Sequence, residues 1–317
     1  MIKAREDVFY YYFKFMEERM KIFWKKFNYN NLPLTNDPIL TKYKFTNVYR
    51  ACDRVSQYLI GDLINNFDSN MSEEDILLNI LVFKVFNKIE TWTYLSETFG
   101  RITVKNYDAD IISSLLSNLR KQRAIFSPAY IMTGSGLNYS KFMYKHERWL
   151  QMIKSEIIGT KKLAQITKSK SLEKVYNILI DCTFIGPFLA YQYTIDMNYS
   201  DVINFDENSF VKAGIGAQRG INKCFLNSNN YSYEDFIRFT FDNLEKYQNI
   251  YGTKFDNLFG RDPKLIDLQN CFCETDKYLR EKMPSLHVGN KRIKQKYKPN
   301  DCPIRYSFPK KWKLPIR

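Results

Sequence analysis

The chain has few of the residues that build metal and disulfide sites. Its two histidines, His146 and His287, lie far apart without a metal-ligand spacing, which disfavours a zinc hydrolase. Its six cysteines form no CxxC pair, and the nearest two are Cys271 and Cys273. We therefore expect reduced, core-packed thiols in a cytoplasmic protein and predict neither a metal site nor a cofactor.

Several motifs and segments are also missing. There is no GxxxxGK loop followed by Ser or Thr, which disfavours phosphoryl transfer by a P-loop, and no GxSxG elbow. No run of eighteen uncharged apolar residues occurs, so no membrane span is expected. Arg5, Glu6 and Asp7 interrupt any apolar run near the first residue, so we expect no signal peptide and no membrane partner.

Positive charge is in clear excess. The formal net charge is +14, which favours a polyanionic partner such as nucleic acid. Residues 281–317 hold eleven Lys and Arg against two acids and so supply +9 of this charge. This segment is either a solvated tail or an arm that contacts phosphates, with Lys291, Arg292 and Lys294 as candidate DNA contacts.

Apolar residues recur at helical spacing through nearly the whole chain, which predicts an all-α fold. Ser72, Asp108 and Asn47 are expected to open helices, the last running through VYRACDRVSQYLIGDLI. We expect one large helical domain over 1–280, or two packed lobes of about 1–140 and 141–280. The basic extension, 281–317, follows it.

The stretch FIGPFLAYQ places a glycine-proline turn between two helical patterns. Such a helix-hairpin-helix unit points free amides at a DNA phosphate, and Pro187 suits the first helical turn. Gly186 and Gln192 are the candidate DNA contacts. Asp206 follows Gly186 by twenty residues, the arrangement of helical DNA glycosylases. The alternative is a plain helix–helix turn with Asp206 as a cap.

A second glycine cluster, AGIGAQRGINK, offers amides from Gly214 and Gly216 together with the guanidinium of Arg219. This combination suits a phosphate, so Gly214 and Gly216 are further candidate DNA contacts. The alternative is the C-cap of one helix followed by the N-cap of the next.

Two segments place acids beside cations at helical spacing. The charges are Arg50, Asp53 and Arg54 in YRACDR, and Glu274, Asp276, Lys277 and Arg280 in CETDKYLR. Carboxylates among guanidinium groups can form a proton-transfer site with shifted pKa values. The alternative is a solvated face of ion pairs.

Four blocks occur in a characteristic order. They are TNDPILTKYKFTNVYRACDRVSQYL (35–59), IGPFLAYQYTID (185–196), AGIGAQRGINK (213–223) and DLQNCFCETDKYLR (267–280). This order resembles the helical domain associated with 5-hydroxymethyluracil DNA kinases and its relatives, the alpha-glutamyl/putrescinyl-thymine pyrophosphorylases. These are phage-type DNA base hypermodification proteins, and the resemblance implies a DNA-glycosylase-like helical fold.

The resemblance implies a step in thymine hypermodification. An amino acid or polyamine displaces the (pyro)phosphate from phosphorylated 5-hydroxymethyluracil, on a base flipped out of DNA. A 5-hydroxymethyluracil DNA kinase is then the pathway partner, and the host cytoplasm is the location if a phage encodes the chain. The candidate bases are Asp206 and Glu274, then Asp276 and Asp53. The candidate phosphate ligands are Arg50, Arg54, Arg219, Lys277 and Arg280.

Two other functions fit the same features. The hairpin and Asp206 suit a DNA glycosylase that acts on modified bases. A non-catalytic helical module that binds DNA for a separate kinase would account for the charge without any chemistry.

Overall fold

The structure is a computed structural model of the 317-residue chain. It describes residues 2–28, 33–68, 70–128, 134, 137–226, 230–286, 293, 295–298 and 305–315. These residues form helices and three isolated bridges but no strand, which confirms the predicted all-α class. Within those same ranges, no helix is both long and apolar enough to cross a membrane.

The α-helices of the described residues are numbered in chain order. They are α1 Glu6–Phe27, α2 Pro38–Lys42, α3 Arg54–Tyr58, α4 Glu73–Phe86, α5 Ile89–Thr98, α6 Ala109–Gln122, α7 Lys145–Met152, α8 Lys162–Thr167, α9 Leu172–Ile180, α10 Pro187–Met197, α11 Ile215–Cys224, α12 Tyr233–Asp242, α13 Leu244–Tyr251 and α14 Leu265–Lys282. A 3₁₀ turn forms at Arg50–Cys52, and π-helical turns form at Leu59–Leu63 and Ile153–Ile158.

Two of the predicted helix starts are confirmed in atomic detail. The Ser72 hydroxyl accepts the N–H of Asp75 at the start of α4. The Asp108 carboxylate accepts the N–H groups of Asp110 and Ile111 at the start of α6. Each side chain satisfies amides that the first helical turn leaves without a backbone partner.

The predicted continuous helix after Asn47 is wrong. The backbone makes a 3₁₀ turn at Arg50–Cys52 and becomes extended at Asp53, with ψ near 143°. Asn47 does not cap this turn; its side-chain amide donates to the carbonyl of Cys52 and to the Asp53 carboxylate. These local bonds compete with helix geometry, which is why a helical apolar pattern is interrupted here.

The chain divides into two compact units. Unit 1 is Met1–Asp53 with Phe210–Ile304, and unit 2 is Arg54–Ser209 with Arg305–Arg317. Each unit is therefore built from segments distant in sequence, and residue 140 falls inside unit 2 rather than at a boundary. The basic extension is also divided, because residues 295–298 belong to unit 1 and residues 305–315 to unit 2.

The core of unit 1 forms where α14 packs between α1 and α11. The buried rings of Phe9 and Tyr12 on α1 pack against Phe272, with ring centroids 6.4 and 4.3 Å away. The Tyr12 hydroxyl donates to the carbonyl of Leu268 at 3.1 Å. These contacts fix the first half of α14 against α1.

The core of unit 2 includes α4, whose residues Leu77 to Phe86 are all buried, and α10, which packs on α4 and α9. A buried ion pair joins two of these helices: Lys84 Nζ lies 3.2 Å from Asp196 Oδ2, and both side chains are at most 2% exposed. Residues 305–312 cover part of this unit, with Phe308 only 1% exposed. This part of the basic extension is packed structure rather than a free arm.

Candidate functional site

The loop Lys44–Asp53 lies against one face of α14 and is tied to it by polar side chains. Asn270 donates through Nδ2 to Thr46 Oγ1 at 2.9 Å and to the carbonyl of Asn47 at 3.1 Å. Asp267 accepts the N–H of Arg50 at 3.0 Å. Because Asp267, Asn270 and Glu274 recur at helical spacing, one face of α14 fixes the whole loop.

Glu274 is the buried acid of this face. Its side chain is 5% exposed. Oε2 accepts the N–H of Thr46 at 3.0 Å and forms an ion pair with Lys277 Nζ at 2.7 Å. Lys277 is more accessible, with 27% of its side chain exposed, and its ammonium lies 5.1 Å from the centre of the Phe45 ring. Glu274 is thus held in place by the loop on one side and a cation on the other.

Asp53, the last residue of the Lys44–Asp53 loop, is the second acid of this site. Its Oδ1 accepts the N–H of Asn47 at 2.8 Å and the Asn47 side-chain amide at 3.2 Å. Among the residues that the structure describes, no hydrogen bond reaches Asp53 Oδ2. Oδ1 therefore anchors the carboxyl group to the backbone and side chain of Asn47.

The pKa of Asp53 is raised to about 6. Burial is the main cause, and the negative charge of Glu274 adds to it. The Asn47 hydrogen bond and the guanidinium groups of Arg19 and Arg50 act in the opposite direction. A carboxyl group in this range is largely ionised at neutral pH yet basic enough to take a proton.

Arg19 is a member of this site that the sequence analysis missed. From α1 it donates through Nε to the carbonyl of Thr46 at 2.9 Å and through Nη2 to Asn47 Oδ1 at 3.1 Å. Burial lowers the pKa of its guanidinium. No local signal marks Arg19, because it lies in an aromatic-rich helix far from YRACDR in sequence. We call Arg19, Arg50, Asp53, Glu274 and Lys277 the acid–guanidinium cluster.

Asp276 and Arg280, also predicted site residues, lie on the part of α14 that contacts α11. Asp276 is 1% exposed, and its Oδ1 lies 2.9 Å from Lys223 Nζ. Arg280 contacts Oδ2 of the same carboxylate. Both oxygens of Asp276 are thus occupied by buried cations, a geometry suited to holding α11 on α14.

The second glycine cluster serves the same helix contact. A Cβ at Gly216 would lie 2.2 Å from Cys273 Sγ, and one at Gly220 would lie 2.1 Å from the carbonyl oxygen of Phe272. Gly214 is buried at the N-cap of α11, and Arg219 is half-buried on that helix. These glycines allow α11 to approach α14 closely; their contact with DNA stays a prediction.

Four predicted residues lie in unit 2. Gly186 is exposed at the start of α10, and a Cβ built there would have no atom within 4 Å beyond its chain neighbours and the backbone of its own helix. Gln192, in contrast, is 4% exposed inside α10. Asp206 is exposed, with Oδ1 accepting the N–H of Asn208 at 3.0 Å, and Arg54 is exposed at the first residue of α3.

The structure therefore brings Arg50, Asp53, Glu274 and Lys277 together within unit 1. Asp206 and Arg54 belong to the other unit. Lys291, Arg292 and Lys294, predicted to contact DNA, lie outside the described residues.

The fold and this cluster define an all-helical protein in which the buried Glu274 and the half-buried Asp53 lie among guanidinium groups. The chain belongs to the family of 5-hmdU DNA kinase helical domains, whose model matches residues 6–288. A curated relative, the 5-hmdU DNA kinase of Bacillus phage SP10, is 25% identical over 284 residues. The match covers 84% of this chain and 44% of that relative, so the chain spans less than half of its length. No solved structure matches the chain.

Proposed function

We propose that this protein acts in the hypermodification of thymine in DNA, on 5-hydroxymethyluracil that carries phosphate or pyrophosphate. It displaces that group with an amine, either an amino acid or a polyamine. Family membership supports the class of DNA substrate, since the relative is named for 5-hmdU DNA. Displacement is proposed rather than phosphorylation because the 317 residues contain no GxxxxGK loop.

The observation that carries the chemistry is the Asp53 carboxyl group, with its pKa of about 6 and Oδ2 unbonded among the described residues. An amine is a nucleophile only when it is not protonated. In the proposed step, Asp53 accepts a proton from the amine as its nitrogen bonds to the 5-methylene carbon. The carbon–oxygen bond breaks, and its electron pair leaves with the phosphate oxygen.

The leaving group needs positive charge in place before it departs. Arg50 and Lys277 are the proposed ligands for that phosphate, since both belong to the acid–guanidinium cluster and Lys277 is partly exposed. Glu274 is proposed as a positioning residue, since its bonds to Thr46 and Lys277 hold the loop and the ammonium group. Arg19 fixes the same loop from α1.

DNA binding is assigned to the α9–α10 turn in unit 2. The turn is proposed as a helix-hairpin-helix-like element in a DNA-glycosylase-like fold, with amides at the N-terminus of α10 facing a phosphate. Open space around Gly186 supports this proposal, because a backbone can be approached closely only where no side chain intervenes. Asp206 remains a second candidate acid within unit 2.

The test is incubation of the protein with duplex DNA that contains phosphorylated 5-hydroxymethyluracil and a panel of amino acids and polyamines. Nucleoside mass spectrometry then reads the products. A nucleoside with an amine on the 5-methylene carbon supports the proposal. Asp53→Asn should lower its formation at least ~100-fold, the usual contribution of a general base. The exposed Asp242, at the end of α12, gives the matched control Asp242→Asn.

One observation favours a second candidate function. The chain corresponds to the helical part of a relative that is named a kinase and is more than twice as long as the matched region. A module that binds DNA for a separate kinase would fit this match. It predicts salt-sensitive DNA binding, no amine-substituted nucleoside, and faster phosphorylation of the base when the chain is added to such a kinase.

A further inference from the structure

The two most exposed large apolar side chains among the described residues lie six positions apart in one loop of unit 2. Leu137 is 91% exposed and Met143 is 76% exposed. Exposed single apolar residues are ordinary on protein surfaces. Two such side chains on one hydrogen-bonded loop are a different case. Because both are exposed to solvent, their burial contributes no free energy to folding, although the loop that carries them is fixed by hydrogen bonds.

The loop is fixed by hydrogen bonds within unit 2. Residues Leu137–Tyr139 form a 3₁₀ turn, and Ser140 donates its N–H to the carbonyl of Leu137 at 3.2 Å. The Tyr139 hydroxyl donates to Glu156 Oε1 at 2.7 Å. On the far side, Arg148 Nε donates to the carbonyl of Phe142 at 2.9 Å. The apolar side chains are therefore presented on a preorganised support.

The same bonds tie the loop to the turn before α10. Glu156, which holds Tyr139, also accepts the N–H of Thr183 at 2.7 Å. Asn138 Nδ2 donates to Thr183 Oγ1 at 3.3 Å, and the rings of Tyr139 and Phe184 lie 5.6 Å apart. The Leu137 loop and the turn that leads to Gly186 thus form one local structure.

The charge of the loop indicates the kind of partner. Residues 137–148 contain Lys141, Lys145 and Arg148 against the one acid Glu147, and Lys141 is exposed. Exposed apolar residues on a segment of net positive charge suit a polyanion with an apolar interior. Duplex DNA has this character, since its phosphates surround stacked bases, and proteins that kink DNA insert Leu, Met or Phe between base steps.

We propose that Leu137, supported by Met143, enters the base stack of duplex DNA and fills the space left by the everted pyrimidine. The inference rests on the proposed function, because that chemistry requires the target base outside the duplex. Burial of Leu137 in the stack offsets part of the free energy of unstacking and unpairing. A base in single-stranded DNA is already unpaired, so binding to a single strand should not depend on Leu137.

The experiment measures binding to a duplex with 2-aminopurine next to the target base, and to the same strand without its complement. Wild-type protein should increase 2-aminopurine fluorescence in the duplex. Leu137→Ala should abolish this increase and weaken duplex affinity about tenfold or more, from the lost burial of a leucine side chain. Its affinity for the single strand should stay unchanged. Ile111→Ala, at another exposed apolar residue of unit 2, is the matched control.

Two results would overturn the inference. The first is that Leu137→Ala and Ile111→Ala bind the duplex with equal affinity and give equal 2-aminopurine fluorescence. The second is that Leu137→Ala loses as much affinity for the single strand as for the duplex. The proposed function is judged separately, by product formation on single-stranded phosphorylated substrate. Leu137→Ala should retain wild-type turnover there. Absence of product with wild-type protein on both that strand and the duplex refutes the chemistry, whereas the fluorescence comparison refutes only the role of Leu137.

Discussion

Asp53 and Glu274 accept the backbone N–H groups of two consecutive residues, Asn47 and Thr46, at 2.8 and 3.0 Å. Two carboxylates from distant parts of the sequence are thus fixed on one short segment of chain. Burial raises the pKa of Asp53 to about 6, and the negative charge of Glu274 adds to that rise.

The rate of amine transfer should rise with pH through about 6, because Asp53 must be ionised to accept a proton. A pH–rate profile of single-turnover product formation measures this. Asp53→Asn should remove the rise along with most of the activity, and Asp242→Asn should leave the profile intact. An unchanged rise near pH 6 in residual Asp53→Asn activity would assign the proton transfer to another group, with Asp206 the first to test.

Asp53 should also make stability fall as pH rises. Its folded pKa, about 6, lies above the usual value of about 4 for an unfolded chain. Between these values the folded protein binds more protons, so the stability that Asp53 contributes is present at low pH and is lost as pH rises through about 6. Asp53→Asn should therefore raise Tm relative to wild type at pH 7.5 and not at pH 4. A lower Tm for the variant at pH 7.5 contradicts this prediction.

The two glycine clusters should respond differently to alanine. Gly186→Ala should leave Tm unchanged, since its Cβ meets open space, but should weaken DNA binding if a phosphate approaches that backbone. Gly220→Ala should destabilise unit 1 by roughly 1–3 kcal/mol despite the better helix propensity of alanine, because its Cβ meets the Phe272 carbonyl. Thermal unfolding and salt-dependent DNA binding of both variants measure this. Full DNA affinity in a folded Gly186→Ala variant would remove the turn from the binding surface.

Asp276 should act through stability. Asp276→Asn removes the negative charge that both Lys223 and Arg280 contact, and breaking such a buried pair costs about 3–5 kcal/mol. Denaturant unfolding measures the loss. A variant that keeps wild-type stability and loses only turnover would instead restore Asp276 to the catalytic group predicted from CETDKYLR.

Much of the fold follows from the sequence because helices are encoded locally. Ser72 and Asp108 cap their helices as their positions predict. The failure at Asn47 has a specific cause: side-chain bonds among Asn47, Cys52 and Asp53 replace helical ones, and apolar periodicity contains no information about them. Asn and Asp side chains that bond to the backbone can end a helix as well as begin one. A segment that combines Asn or Asp with apolar residues at helical spacing is therefore compatible with either a continuous or an interrupted helix.

The site was predicted only in part, because sequence spacing does not show which side chains folding brings together. Charge patterning identified Asp53 and Glu274, but spacing alone could not show that Glu274 faces the Thr46 loop while Asp276 faces α11. Arg19 was missed because its partners are backbone and side-chain oxygens brought near only by folding. The glycines of AGIGAQRGINK have a packing role that depends on a neighbouring helix, which one sequence does not reveal.

The proposed amine-for-phosphate displacement is tested most sharply by following both products of a single turnover. Duplex DNA with phosphorylated 5-hydroxymethyluracil is incubated with excess protein and a ¹⁵N-labelled amine, and released phosphate and labelled nucleoside are quantified together. We expect one labelled nucleoside for each phosphate released, with both lost in Asp53→Asn and retained in Asp242→Asn. Phosphate release without label in the nucleoside, or equal product from Asp53→Asn and wild type, would contradict it.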